Sequence, residues 1–246
     1  MTVMPGSASP RTSGSASPRT SGSPIPRRRQ ILDAAAELFA RSGFRGVSID
    51  DIGAAVGISG PALYRHFPRK EAILGELLVG ISEELLEEGR RRARDAGGEE
   101  MGVGEATETV GEETDVGGVA ALVDWHVEFA LDHPDLITVQ ARDLDALGPE
   151  DREHVRRLQL AYVEVWVDAL RAEHPGVDVR TARAAAHAAF GLINSTPHSA
   201  RLARAEMAAL LRRMALQALR AVDVEPHRSA SRCTLVPAGS AKEGTA

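Results

Sequence analysis

Ser48–Lys70 reads SIDDIGAAVGISGPALYRHFPRK. Ser48 is a helix N-cap by residue type. Ile49, Ile52 and Val56 then recur at helical spacing and turn one apolar stripe inward. Gly57 stops that helix, because glycine takes a left-handed backbone without steric cost. Ser59 recaps the chain, and Pro61 suits the first turn of a second helix, where a missing amide hydrogen costs nothing. Ala62, Leu63 and Phe67 anchor the second helix, leaving Tyr64, Arg65 and His66 at its exposed end with Lys70 beyond. Two short helices around a glycine turn, the second presenting donors outward, make a helix-turn-helix of the kind that enters a DNA major groove.

Around this run, ILDAAAELFARSGFRGVSIDDIGAAVGIS and ALYRHFPRKEAIL extend the pattern from about Arg27 to Ile73. This stretch resembles the DNA-binding domain of the TetR (TetR/AcrR) family of bacterial one-component regulators, and LYRHFPRKE is its most specific part. The resemblance implies an all-α chain. An N-terminal three-helix DNA-binding domain at 26–72 would precede a C-terminal helical ligand-binding and dimerisation domain at 73–224.

Charge agrees once it is divided. The chain of 246 residues carries a formal charge of −6. Residues 1–70 hold ten Arg/Lys against four Asp/Glu, so the basic end is the end that would meet DNA. Lys70 and Lys242 are the two lysines of the sequence. The single cysteine, Cys233, excludes an internal disulfide, and a cytoplasmic location is the expectation. No apolar run is long enough to span a bilayer, so no membrane partner is expected, and the N-terminus lacks the apolar region of a signal peptide.

The octapeptide SASPRTSG occurs at 7–14 and again at 15–22. With little to bury, residues 1–25 are expected to be a disordered basic tail. Arg11 and Arg19, with Arg27, Arg28 and Arg29, would form a basic arm, either a plain solvated tail or one reaching phosphates or the minor groove. Helix one is expected over Pro26–Ser42, ended by Gly43, and a long helix over Arg69–Arg94. Residues 95–118 are glycine-rich and acidic and read as a flexible loop. Five helices should follow: Val119–Asp132, Pro134–Leu147, Pro149–Glu173, a fourth capped by Asp178 and running to Ser195, and Ser199–Val222. No strand alternation occurs, and residues 225–246 read as a polar tail.

Contacts carried by the resemblance fall on matching residues. Ser48 and the amides opening its helix would hold a phosphate. Tyr64, His66 and Lys70 would donate to backbone phosphates, which sets register rather than sequence. Base reading would fall to Ser59, Gly60, Pro61 and Arg65, with Arg65 on guanine or on a further phosphate. Such a helix reads few base pairs, so the fold implies a homodimer on double-stranded DNA with a palindromic operator. Its dimer surface would be the last two helices, with Ala182, Ala185, Ala186 and Ala189 allowing close packing. The same stripes could equally be the core of one subunit.

The effector half holds both tryptophans in a chain with 4% aromatics. Trp125, His126, Phe129, Tyr162, Trp166, Phe190 and Asn194 are the candidates for a mostly apolar small-molecule pocket, against the alternative of ordinary core. The eight histidines show no i, i+4 pair, so no metal site is expected, and no cofactor is implied. No nucleophile–base pair or phosphate loop supports an enzyme. The expectation is a ligand-responsive regulator acting as a repressor. An activator or ligand-independent regulator is the alternative, and a helical enzyme with a vestigial helix-turn-helix is the contrasting class.

Overall fold

The computed structural model describes residues 26–99, 117–199 and 201–223. Ten α-helices carry the chain among the described residues, without a strand. The first four are α1 (Arg27–Gly46), α2 (Ile49–Ala55), α3 (Gly60–Leu63) and α4 (Lys70–Glu99). Then come α5 (Gly118–Asp132), α6 (Pro134–Asp143), α7 (Pro149–Glu173), α8 (Val179–Ile193), α9 (Thr196–Ser199) and α10 (Arg204–Arg220). Single 3-10 turns at Leu144–Ala146 and Ala221–Asp223 extend α6 and α10.

Local chemistry explains most boundaries. Gly43, at φ 76°, breaks α1 at the expected place, after which a short helical turn continues to Gly46. Prolines open α6 and α7 from their first turns. Asp178 caps α8, its carboxylate accepting from Arg180 N at 2.8 Å and Thr181 N at 3.2 Å. The Thr181 hydroxyl, donating to Asp178 Oδ2 at 2.7 Å, and then these two amides hold the Asp178 carboxyl below the usual carboxylate range.

Two expectations shift. The long helix continues past Arg94 to Glu99, so the acidic segment expected as loop over 95–118 begins as helix. Its central part lies outside the described residues, as do the octapeptide repeat and the expected C-terminal tail. The last helix, expected from Ser199, begins later. Thr196–Ser199 forms its own short helix, and α10 starts only at Arg204.

The helix-turn-helix core is Ile31, Ala35, Phe39, Phe44, Ile52, Leu63 and Phe67, all buried. Burying one such aliphatic or aromatic side chain contributes about 1.5–3 kcal/mol. The core then runs without a break along Ile73, Leu74 and Leu78 of α4. α4 packs against α5 and α7, α8 covers α7, and α10 packs on α5 and α8. α1 rests on α6, which is the main bridge from the N-terminal helices to the rest apart from α4 itself.

Candidate DNA-binding surface and effector cavity

Gly57, at φ 70°, makes the turn between α2 and α3. Its neighbour Ile58 returns a main-chain bond to Gly53 O at 2.9 Å. Helical bonding continues beyond Leu63, with Tyr64 N on Gly60 O at 3.0 Å and Phe67 N on Leu63 O at 3.0 Å. The turn thus presents Ser59, Pro61, Tyr64 and Arg65 to solvent. Tyr64 is 54% exposed despite its aromatic ring. Ser59 makes no side-chain cap bond, so its hydroxyl is not spent on the helix.

Two expected contact residues are placed otherwise. Gly60 is buried, with Asp50 Oδ1 2.4 Å from where a Cβ would stand, so it packs α3 on α2 rather than facing a base. Ser48 is engaged in a capping box. Its Oγ accepts from Asp51 N at 3.1 Å and donates to Asp51 Oδ2 at 2.6 Å, while its own N donates to Asp51 Oδ2 at 2.8 Å. These bonds depress the Asp51 carboxyl. A carboxylate therefore already occupies the helix end where a phosphate was expected.

Lys70 also turns inward. Its Nζ donates to Phe44 O at 2.7 Å and Val47 O at 2.5 Å and stands 4.4 Å from the Phe44 ring centre. The reason is that the end of α1 leaves carbonyls without helical partners, and a cation at the start of α4 satisfies them. Two of three ammonium donors are used this way.

The three described arginines of the expected arm are engaged within the fold. Arg28 donates to His66 O at 2.6 Å, pairs bidentately with Glu76 and lies 4.1 Å over the Phe67 ring. Arg27 donates to Val56 O at 3.0 Å, and Arg29 pairs with Asp33 at 2.9 Å. Arg11 and Arg19 lie outside the described residues. His66 is half-buried, and its main chain is tied to α1 through Arg28. Arg65 and Arg69 remain exposed and carry no ion pair among the described residues.

In the C-terminal half α4, α5, α6, α7 and α8 surround a cavity of about 380 Å³. His126, Tyr162, Phe190 and Asn194 line it as expected. Trp166 is fully buried behind them, its ring centre 4.9 Å from Phe190 and 5.9 Å from His126. Trp125 and Phe129 pair with each other at 5.8 Å and do not reach the lining. Arg92 covers Trp125 at 5.1 Å, and His133 covers Phe129. These three aromatics therefore wall or support the core instead of lining the cavity. On α5, Trp125 and Phe129 stand only about 60–100° around the helix axis from His126, and periodicity does not say which face meets a void.

A polar relay crosses the cavity wall. His126 Nε2 lies 3.0 Å from Asn194 Oδ1, and Nδ1 lies 3.3 Å from the Tyr162 hydroxyl. Burial pushes His126 down to about 4 despite its bond to Asn194, so the imidazole is neutral. Burial pushes the Tyr162 phenol up. A neutral imidazole has one donor and one acceptor. With Nε2–H donating to Asn194, Nδ1 accepts from the Tyr162 hydroxyl. Gly89 of α4 permits this arrangement, since a Cβ there would stand 2.5 Å from Tyr162 Cε2.

Residues not singled out from sequence complete the lining: Ser82, Leu85, Ile137, Gln140, Ala141, Leu144, Gln159, Val163 and His187. Gln140 and Gln159 look like solvated helix positions when read alone. The available signal was the 3–4 spacing of Gln159 with Tyr162 and Val163. None of the lining residues is Asp, Glu, Lys or Arg.

One helix joins cavity and helix-turn-helix. Gln140, Ala141 and Leu144 on and just after α6 face the void. Between them Arg142 donates to Ala40 O at 3.1 Å and to Phe39 O, and reaches Asp143 at 3.0 Å. Buried Asp143 accepts from Phe44 N at 3.3 Å.

Comparison with known proteins agrees with this architecture. Residues 31–77 match the model of bacterial regulatory proteins of the tetR family, and residues 119–219 match a tetracyclin repressor-like C-terminal domain. The chain is 43% identical over 60 residues to the HTH-type transcriptional repressor KstR2 of Rhodococcus jostii (strain RHA1). That match covers 24% of this chain and 29% of the relative, so the chain aligns with less than a third of that relative's length. A TetR-family regulator from Bordetella parapertussis 12822 superposes with a TM-score of 0.62 at 24% identity, over 81% of this chain and 95% of that one. FadR from Bacillus subtilis, solved in complex with stearoyl-CoA, gives a TM-score of 0.56 at 19% identity, over 81% and 99% of the two chains. With both halves matched by models of one family and the same helical order in solved members, the chain belongs to the TetR family of bacterial transcriptional regulators.

Proposed function

We propose that this protein is a ligand-responsive repressor that holds a palindromic operator as a homodimer and releases it when a small, mostly apolar effector fills the cavity. The observation carrying this reading is the double engagement of α6. Gln140 and Leu144 line the cavity while Arg142 and Asp143 grip α1. A ligand that moves α6 moves the scaffold of α2 and α3 with it. Such a ligand shifts DNA affinity only by its differential affinity for the two arrangements.

On DNA, Tyr64, His66 and Arg69 would donate to phosphates, and Ser59, Pro61 and Arg65 would face base edges. Lys70 would have one donor left for a phosphate, and Ser48 would serve through cap geometry. The dimer would bring two such surfaces roughly 34–36 Å apart. Ala182, Ala186 and Ala189 are buried within the single chain and cannot serve the partner contact. The outward faces of α8 and α10 remain for it: Ala184, Ala188 and Gly191 with Met214, which is 45% exposed. No helix among the described residues is long and apolar enough to cross a membrane, and a cytoplasmic site of action fits the reading.

The test is fluorescence anisotropy of full-length protein on DNA upstream of its own reading frame, across salt concentrations. Saturable, salt-dependent binding to a palindrome with two protomers per site supports the reading. Equal affinity for unrelated DNA sinks it. Small molecules that co-purify, identified by mass spectrometry, provide the first effectors to test for release.

A further inference from the structure

We propose that the cavity selects an effector bearing an uncharged carbonyl-type acceptor at its buried end, received by the Asn194 amide, with His126 as the residue that orients that amide. This rests on the cavity being the effector site, as proposed above.

An asparagine side chain can present either its oxygen or its NH2 group to a ligand, and a free amide would accept both donors and acceptors. Here the choice is constrained. Asn194 Oδ1 lies 3.0 Å from His126 Nε2, and His126 Nδ1 lies 3.3 Å from the Tyr162 hydroxyl. The imidazole is enclosed, 3% exposed, by the rings of Tyr162, Trp166 and Phe190. Asn194 presents Oδ1, which can only accept, to Nε2, so Nε2 carries the imidazole hydrogen and Nδ1 accepts from the Tyr162 hydroxyl. The amide oxygen is thereby turned toward His126. The two amide hydrogens of Asn194 have no partner among the described residues, on a side chain that lines the cavity. What they can receive is a lone pair.

The remaining lining decides the charge of that acceptor. A carboxylate or phosphate at the buried end would lack a counter-charge, because no lysine or arginine lines the void, His126 is neutral, and His187, the other lining histidine, stands on the solvent-exposed side. An unpaired buried charge is strongly disfavoured. A ketone, ester, amide or thioester carbonyl meets both conditions. Phe190, Ile137 and Val163 supply the apolar wall for the chain attached to it.

Three matched probes separate the possibilities on full-length protein: methyl hexyl ketone, its alkene isostere with a methylidene in place of the carbonyl oxygen, and octanoate. Binding is read by calorimetry and by competition with operator DNA. The ketone should bind about five- to tenfold tighter than the alkene, the return on one net hydrogen bond in a site that must otherwise leave donors unmet. Octanoate should bind more weakly than both. Asn194→Ala should erase the ketone–alkene difference. His126→Phe, which frees the amide to rotate, should reduce that difference while octanoate stays excluded. Circular dichroism and thermal unfolding confirm that each variant is folded. Should His126→Phe not fold, the loss of preference in Asn194→Ala alone decides. Equal binding of ketone and alkene, with either one releasing DNA, overturns the acceptor assignment and leaves the cavity as effector site. Octanoate binding tightest also overturns it. Absence of binding by all three overturns both readings.

Discussion

Arg142 Nη1 donates to Ala40 O at 3.1 Å, joining the end of α6 to the middle of α1 across 102 positions of sequence. Gln140, two residues before Arg142, faces the cavity. An element in contact with two sites can couple them, and these neighbours on α6 touch both the cavity and α1. Arg142→Met keeps the aliphatic stem and removes the donors. We expect effector binding to persist while the effector-induced loss of operator affinity shrinks, from a typical coupling of about 1–3 kcal/mol toward zero. Paired titrations of effector with and without operator measure this. Unchanged coupling in a folded Arg142→Met protein would remove Arg142 from the route.

Lys70 should act first on stability. Lys70→Met leaves the carbonyls of buried Phe44 and Val47 without their donor, at a cost of about 1–3 kcal/mol. Thermal or urea unfolding reads the loss. Arg69→Ala, by contrast, should leave stability nearly intact and lower the slope of log affinity against log salt by about one ion. A reduced slope in Lys70→Met without lost stability would return Lys70 to the DNA backbone.

Tyr64 and Arg65 should separate by specificity. Tyr64 is exposed, so Tyr64→Ala should leave the unfolding midpoint in place and weaken different operators alike. Arg65→Ala should relax preference at one base pair by about 1–3 kcal/mol if its guanidinium reads guanine. Binding-site selection with both variants checks the assignment, and an altered motif from Tyr64→Ala would reverse it.

His126 should impose an acid sensitivity. Its folded value is about 4 against an ordinary 6.5. The unfolded chain therefore takes up a proton near 6.5 while the folded chain does not until about 4. Protonation favours the unfolded state within that window, so this contribution to stability is full above 6.5 and is lost as pH falls toward 4. The total is about 3 kcal/mol. Denaturation at several pH values should show a shallower acid loss for His126→Gln than for the unmodified chain. Parallel curves would mean that His126 does not titrate with unfolding.

Gly89→Ala should damage the cavity from behind. The new methyl would meet the Tyr162 ring at 2.5 Å, so the ring must move and its hydroxyl leaves His126. Overpacking of this kind costs about 1–3 kcal/mol, partly offset by the better helix propensity of alanine, about 1 kcal/mol. We expect lost effector response with operator affinity retained. A full response in this variant would show that the relay is dispensable.

Much was legible in the chain before folding. Helix punctuation is local chemistry, so Gly43, Gly57, Asp178 and the prolines at 134 and 149 mark ends that the structure keeps. The stripe of Ile49, Ile52 and Val56 and the exposure of Tyr64 and Arg65 follow from helical spacing and from one glycine's backbone freedom. His126, Tyr162, Phe190 and Asn194 could be grouped because aromatic and amide side chains are scarce in this chain and fall on helices that must meet.

Tertiary packing decided what spacing leaves open. Whether Lys70 meets a phosphate or a carbonyl depends on where the end of α1 falls, 23 and 26 residues away in sequence. Whether Arg28 is an arm or a clamp depends on Glu76 of α4 standing opposite it. Trp166 and Phe190 look alike as apolar helix residues, yet one is walled in and the other borders a void. Sequence periodicity specifies which face of a helix is apolar. Only the packing of neighbouring helices determines whether that face meets side chains or an empty volume.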